Sequence, residues 1–304
     1  MTVPKTMNAN FPMDAQLPAE QGHVHHVGVR AGQVSNLILT VGDPARLNRI
    51  ASLLDAEPKP FENTSSRGFT VVTGRYQGVE VSLVAIGMGI AMVDFFVREI
   101  RAVVSGDITI IRFGSCGSLD PTLRVGSIGV PERAVQISTN YAHWHAKKGE
   151  EVPGYLVSPP ITADAELQAH LFSTLSTSVS SPTCEVRSLP LHASADTFYS
   201  SQGRLDPNFQ DDNTNLLDSL LARYPDCASL EMETAHLFHL SSISHPPPPS
   251  SSAARPARIK SAACHMVFAD RTGGEFIQRE VVEGLEGTVG RGCLEALVRW
   301  GRGE

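Results

Sequence analysis

Residues 37–46 read Leu37-Ile38-Leu39-Thr40-Val41-Gly42-Asp43-Pro44-Ala45-Arg46. The short apolar run Leu37–Val41 fits a buried strand. Gly42 turns the chain, Asp43 suits a helix cap, and Pro44 suits the first helical position, where its missing N–H costs nothing. A strand that hands directly to a helix is the unit of an α/β sheet, and the pattern continues outward. Val79–Ile86 reads as a strand, 91–104 as a helix, and Ile108–Phe113 as another buried strand followed by Gly-Ser-Cys-Gly. Residues 45–54, 163–175 and 214–224 read as helices, and Glu231–Leu240 opens another. Arg258–Ala269 reads as a strand, and 277–299 as a closing amphipathic helix despite Gly284, Gly287 and Gly290. The alternation predicts an α/β fold with a central mixed sheet flanked by helices.

Residues 1–22 read as a flexible tail and 23–304 as a single domain. The Pro246–Pro249 run and its serines make about 244–258 a solvated loop between a helix and a strand. With 304 residues, 41% of them hydrophobic, the chain can bury a core without disulfide or metal staples. A net charge of −7 argues against general nucleic-acid or membrane-surface binding. The apolar stretch Leu83–Val93 is too short to span a bilayer, and the first 22 residues carry Lys5, Asp14 and Glu20 without an apolar centre. The five cysteines, Cys116, Cys184, Cys227, Cys264 and Cys293, show no paired spacing and read as free thiols. These features together predict a cytoplasmic protein.

Several polar residues stand where chemistry is expected. The N–H groups at Gly42 and the helix start attract anions, and Arg46 sits one turn further on. By themselves these residues fit a plain strand–turn–helix with a surface arginine better than an anion site. Arg112 is the lone charge in an apolar strand, so it needs an anion or a carboxylate such as Glu233. Ser115 follows at the strand end, where ligands of open α/β sheets gather. Arg67, in Ser65-Ser66-Arg67-Gly68-Phe69, reads alone as an exposed loop charge. In Asp196–Arg204, a planar ring could stack on Phe198 while Gln202 and Arg204 read its edge; a plain polar loop fits too. The carboxamide of Gln202 offers an acceptor beside a donor, which matches an imide. Glu231-Met232-Glu233 could hold sugar hydroxyls or be an acidic first helical turn. Asp270-Arg271 ends a strand as a supporting pair or a salt bridge. His23, His25 and His26 cluster, but no acid or cysteine spacing supports a metal there.

Taken together, these segments resemble the nucleoside phosphorylase superfamily, most closely its uridine-specific branch. The resemblance runs from about His23 to the C-terminus and rests on motifs in the family's order. It implies a three-layer fold with a central mixed sheet and reversible phosphorolysis of uridine to uracil and ribose 1-phosphate. Phosphate is the co-substrate, with no cofactor and no metal. The Gly-Asp-Pro-x-Arg match implies Gly42 and Arg46 as phosphate ligands. The Arg112–Gly117 segment adds Arg112 and Ser115, and Ser65–Thr70 adds Arg67 from a neighbouring subunit. Phe198, Gln202 and Arg204 match a uracil pocket supported by Arg271, with Arg112, Gln202 and Arg204 cast as catalytic. His26, Glu231, Met232 and Glu233 are implied as ribose ligands, His26 reaching the 5′-hydroxyl in the partner's site. A shared site implies self-association as dimer or hexamer. Gly68 stands where the family carries a glutamate for an interfacial cation, and Asp270 stands near an aspartate of the purine branch. A purine nucleoside phosphorylase and a non-catalytic nucleoside-sensing module are the alternatives.

Overall fold

The computed structural model describes residues 22–179, 181, 184–244 and 257–304; nearly all of the expected tail and most of the 244–258 loop lie outside the described residues. In chain order the elements are β1 (Leu37–Val41), α1 (Pro44–Ala51), β2 (Phe61–Thr64), β3 (Thr70–Tyr76), β4 (Val79–Ala85), α2 (Ile90–Val103), β5 (Ile108–Ser118), β6 (Ile128–Pro131), β7 (Arg133–Thr139), β8 (Tyr155–Val157), β9 (Ile161–Thr162), α3 (Ala165–Ser178), β10 (Val186–Leu189), β11 (Leu191–Ala195), α4 (Leu216–Arg223), β12 (Cys227–Glu231), α5 (Thr234–Ile243), β13 (Ile259–Asp270) and α6 (Arg279–Arg302). Among the described residues no helix is long and apolar enough to cross a membrane.

The strands form one mixed sheet whose main path runs β2-β3-β4-β1-β5-β12-β11-β7-β8. Side chains alternate along each strand, so each strand feeds both faces. Leu39 and Val41 of β1, with Ile111 and Phe113 of β5, pack on one face beneath α1, α3 and α6. Ile38, Ile108 and Ile110 pack on the other face beneath α2 and α5. The result is a three-layer α/β fold with a mixed sheet at its centre. A smaller cluster lies under α4, where Leu216 and Leu220 meet Val135, Ile137 and Leu191. All five cysteines are free and buried.

Two sequence expectations need correction. The first concerns β5, which does not end at Phe113 but continues through Gly114-Ser115-Cys116-Gly117 to Ser118, paired in parallel with β13 along its length. These glycines are points of close approach rather than a turn. A Cβ on Gly114 would sit 2.6 Å from His265 Nδ1, and one on Gly117 would sit 2.9 Å from Arg271 Cγ. Secondly, Glu231-Met232-Glu233 is not the first turn of a helix. Glu231 ends β12 and Glu233 occupies the cap position before α5.

β5 is also the branch point of the sheet. Its ladder with β1 ends at Val41↔Phe113, and its antiparallel ladder with β12 begins at Leu230↔Gly117. Gly114, Ser115 and Cys116 therefore lie in the fork between the two partners. The sheet divides there, at the carboxyl end of β1, the place where open α/β sheets gather their ligands.

Gly114→Ala should destabilise the chain by about 1–3 kcal/mol, the usual cost of overpacking a filled interior. Urea denaturation measures it. An unchanged midpoint would mean that the buried His265 ring can step aside.

Candidate active site

One side of this fork is lined by arginines. Asp43 caps α1 by accepting from Ala45 N at 3.0 Å, with Pro44 at the first helical position, as the sequence predicts. This cap sets Arg46 one turn into the helix, where it is buried rather than on the surface. Its Nε donates to Glu286 of α6 at 3.0 Å, and its Nη2 donates to Ser115 Oγ at 2.7 Å. The guanidinium lies over the Phe113 ring, 4.8 Å from its centroid. Arg46 and Ser115, far apart in sequence, thus meet at the fork. Gly42 closes the same corner, its carbonyl accepting from Gly87 N at 3.0 Å.

Arg112 points from β5 into a buried carboxylate pair. Its Nη2 donates to Glu233, and its Nε lies 3.4 Å from Glu231 Oε2. The carboxylate pairing open in the sequence is therefore present, but it leaves Nη1 without a partner among the described residues. Glu231 accepts from Ser194 Oγ at 2.5 Å and from the backbone N–H groups of Glu233 and Thr234 at 2.9 Å each. Burial works to raise its carboxyl. The His192 ring, its Nε2 3.2 Å from Oε1, and the positive field around the carboxyl, Arg112 included, outweigh burial and hold it well below the usual carboxylate range. Glu233 behaves oppositely: burial, with the charge of Glu231 beside it, pushes it up to about 7 despite Arg112. Its carboxylate also takes the N–H of Gly89 at the start of α2. Met232 is half-buried between the two acids.

The other end is polar and under-used. Beyond β11 the chain turns through Asp196-Thr197-Phe198-Tyr199 into a single helical turn, Ser200–Gln202. Ser201 Oγ donates to Asp196 at 2.5 Å, and Asn213 Nδ2 donates to the carbonyls of Ser200 and Arg204 at 2.9 Å each. These bonds fix the loop and bury Gln202, whose side-chain amide has no partner among the described residues. Arg271 Nη2 donates to the Gln202 carbonyl at 3.0 Å, and Arg271 Nη1 is buried without a partner. Arg204 lies over the Phe198 ring, 4.1 Å from its centroid, and donates to the Phe198 carbonyl. That is the face on which the sequence places a ligand ring. Burial lowers the affinity of both guanidinium groups for their protons, and for Arg271 the charge of Arg204 does so too. Among the described residues neither arginine has a carboxylate partner. The loop with Trp144 flanks this end, Trp144 Nε1 donating to the Gln210 carbonyl at 3.1 Å.

Arg67 and His26 lie elsewhere. Arg67 is exposed in the turn between β2 and β3. β2 is the outer strand, four strand spacings from β5, or about 19 Å at ~4.8 Å each. His26-Val27-Gly28 packs beside that turn, with Asn63 Nδ2 donating to the Gly28 carbonyl at 3.1 Å.

Sequence reasoning missed Glu286, Glu99, His192 and His265. Glu286 sits in a helix whose glycines blur its periodicity, and its partner Arg46 is remote in sequence. The two histidines sit in strands with no motif around them, stacked at 4.6 Å and 6°. His192, Glu231 and His265 form the one group of metal-ligand type found among the described residues. Burial, with His192, Arg112 and Arg46 nearby, keeps His265 neutral by lowering its pKa well below the usual range. Arg112 Nε and Nη1, His265 Nδ1 and Glu231 Oε2 make no hydrogen bond among the described residues, Nε and Oε2 facing each other as an ion pair at 3.4 Å. The Arg112 guanidinium beside this group opposes a divalent cation.

Comparison with known proteins places this architecture. The family model for the phosphorylase superfamily matches residues 36–245. A uridine phosphorylase of Thermococcus kodakarensis is 29% identical over 260 residues, 84% of this chain and 81% of that protein. A DeoD-type purine nucleoside phosphorylase of Caldanaerobacter subterraneus subsp. tengcongensis is 33% identical over 117 residues, 38% of this chain and 48% of that one. A solved structure from work on uridine phosphorylases of the oomycete Phytophthora capsici is 36% identical, with a TM-score of 0.83 over 92% of this chain and 95% of that one.

The raised Glu233 predicts a pH signature. Its carboxyl ionises near 4.5 in the unfolded chain and near 7 in the folded one. In that window the folded state keeps a proton that the unfolded state has released. The stability from this group is full below pH 4.5 and lost as pH rises to about 7. Glu233→Gln should therefore lessen the fall in Tm between those limits. Parallel Tm–pH curves for variant and wild type would remove Glu233 as the source.

Proposed function

The chain belongs to the phosphorylase superfamily, and from that premise we propose that it is a uridine phosphorylase, splitting uridine with inorganic phosphate into uracil and ribose 1-phosphate. The observation that carries this reading is the pair Arg204 and Arg271 beside the unspent carboxamide of Gln202. Half-buried guanidinium groups without carboxylates favour an electron-rich ligand. A carboxamide reads an imide edge, its oxygen accepting N3–H and its amide donating to a carbonyl. Arg204 supplies a donor to the second carbonyl once it leaves the Phe198 face to the ring.

The chemistry follows from the two ends. Arg46, Ser115, the Gly42 N–H and the free Nη1 of Arg112 hold a phosphate dianion below the anomeric carbon, and Arg67 joins them from a neighbouring copy. Glu231 and Glu233 take the ribose hydroxyls, with Met232 under the sugar. The C–N bond breaks as a phosphate oxygen closes on C1′, and its electron pair passes into the uracil ring. Phosphate stabilises the oxocarbenium-like sugar, while Gln202 and Arg204 stabilise charge on the leaving carbonyls. The ring then takes a proton from the medium. In this reading inorganic phosphate is the co-substrate, and neither a metal nor another cofactor has a step. The chain acts as a self-associated cytoplasmic enzyme of pyrimidine salvage.

A purine reading would require a free Asp270. Its carboxylate instead accepts from Thr272 N at 2.8 Å and Thr272 Oγ1 at 2.6 Å. These bonds hold its pKa below the usual carboxylate value. The group is committed to its own turn, which favours the uridine reading.

Uracil release from uridine should require phosphate and exceed base release from inosine. Release without phosphate would indicate a hydrolase, preference for inosine a purine enzyme, and binding without turnover a sensing module. Arg204→Ala should cost turnover on uridine about 10²–10³-fold, the usual loss for one donor to developing charge. The KM for phosphate should change little, and equal losses in both would remove Arg204 from the leaving-group site.

A further inference from the structure

Glu99 is a buried carboxylate on α2, only 2% exposed. Among the described residues no lysine or arginine pairs with it. Instead it gathers the N-terminal segment. Its Oε1 accepts from His26 N at 3.0 Å and lies 2.6 Å from His26 Nδ1; its Oε2 accepts from Val27 N at 2.7 Å. The His26 ring also stacks on Phe95, centroids 3.8 Å apart and planes 16° apart. Backbone and ring are thus fixed by one carboxylate, and the ring face by one aromatic.

This arrangement has a chemical consequence. A carboxylate against Nδ1 requires the proton on that nitrogen, so the neutral imidazole carries its lone pair on Nε2. Nε2 has no partner among the described residues, and the ring is 29% exposed. A histidine that merely filled space would need neither the short bond nor the defined tautomer. A carboxylate that merely anchored the chain would need only the two backbone N–H groups. The Gly28 position against Ser65, where a Cβ would sit 3.0 Å from the serine Cβ, keeps this ring beside the exposed turn of Arg67.

We propose that Glu99 is the positioning residue of His26: it fixes the tautomer and orientation in which Nε2 accepts a hydrogen bond from the 5′-hydroxyl of a nucleoside bound in a neighbouring copy. This rests on the phosphorylase reading above, in which Arg67 joins the neighbour's site, and on the motif resemblance that brings His26 to the same place.

The test compares uridine with 5′-deoxyuridine, which lacks the hydroxyl, in full-length wild-type chain, His26→Ala, Glu99→Gln and the double variant. Wild type should favour uridine in kcat/KM by about tenfold or more, the scale set by one well-placed polar contact. That preference should collapse to about onefold in His26→Ala and to within about threefold of unity in Glu99→Gln. The double variant should add nothing to His26→Ala, because the two residues act as one unit. A Glu99→Gln chain that keeps the full preference would overturn the proposal. Should that variant not fold, ¹⁵N NMR of the histidine rings in wild type decides, with His26→Ala for assignment. His26 should show a protonated Nδ1 and a bare Nε2, and the opposite tautomer would overturn the proposal. If wild type splits inosine but not uridine, the base assignment fails, and the same comparison with inosine and 5′-deoxyinosine decides the role of Glu99. If it splits neither nucleoside, both readings fall.

Discussion

A guanidinium in the central strand of a sheet cannot be left alone, and much of this architecture follows from Arg112. Its neighbours in β5 are apolar and buried on both sides. An unpaired charge there would cost several kcal/mol, so carboxylates must reach it from other elements. Glu231 at the end of β12 and Glu233 before α5 do so. For that to happen β12 must end level with the fork in β5, and α5 must begin immediately afterwards. Two acids held this close to one arginine cannot share the charge equally. Glu231, with more donors, stays ionised, and Glu233 is left near neutrality. A carboxyl poised in that range, beside a free arginine N–H, is suited to exchanging hydrogen bonds with hydroxyl groups.

How much of this was legible in the sequence depends on how local the signal was. The strand–cap–helix at Leu37–Arg46 was readable because every residue in it acts on its immediate neighbours. Ile108–Phe113 was readable as a strand for the same reason. Its continuation to Ser118 was not, because Gly114 and Gly117 carry the local signature of a turn. Only the ring of His265 and the stem of Arg271, brought from β13, make them strand residues. Glu231-Met232-Glu233 misled in the same way: acids before Thr-Ala-His-Leu resemble a helical first turn, while pairing with β11 keeps Glu231 extended.

The site residues divide along the same line. Arg46, Arg112, Ser115, Phe198, Gln202 and Arg204 stand out as candidates because each lies in a short motif. Glu286, Glu99, His192 and His265 were not, because each is defined by one remote partner. Glu286 reads as an ordinary acid in a helix until Arg46 and Arg49 close on it. A residue set in a short motif carries a local signature, and a residue defined by one remote partner does not. This is why the first group was accessible to sequence and the second needed coordinates.

The two ends of the candidate site also differ in how they are prepared. At the Arg46 end the charges are already satisfied, by Glu286, Ser115, Glu231 and Glu233. On the proposed reading, an arriving anion there would meet a built frame and use the few N–H groups left over. At the Gln202 end the frame is rigid in the backbone, through Asn213 and Asp196, but the functional atoms are uncommitted. Arg204 rests on Phe198, a contact worth about 0.5–1 kcal/mol when partly exposed. On the proposed reading, a flat ring that displaces it would lose that much and regain it by stacking on the same face, while the freed guanidinium took a ligand oxygen. The exchange is close to neutral in stacking energy, so selectivity at this end falls to the polar atoms. On the proposed reading, a ring that offers no N–H to the Gln202 oxygen would leave a buried acceptor unpaired and be excluded by that omission more than by its shape.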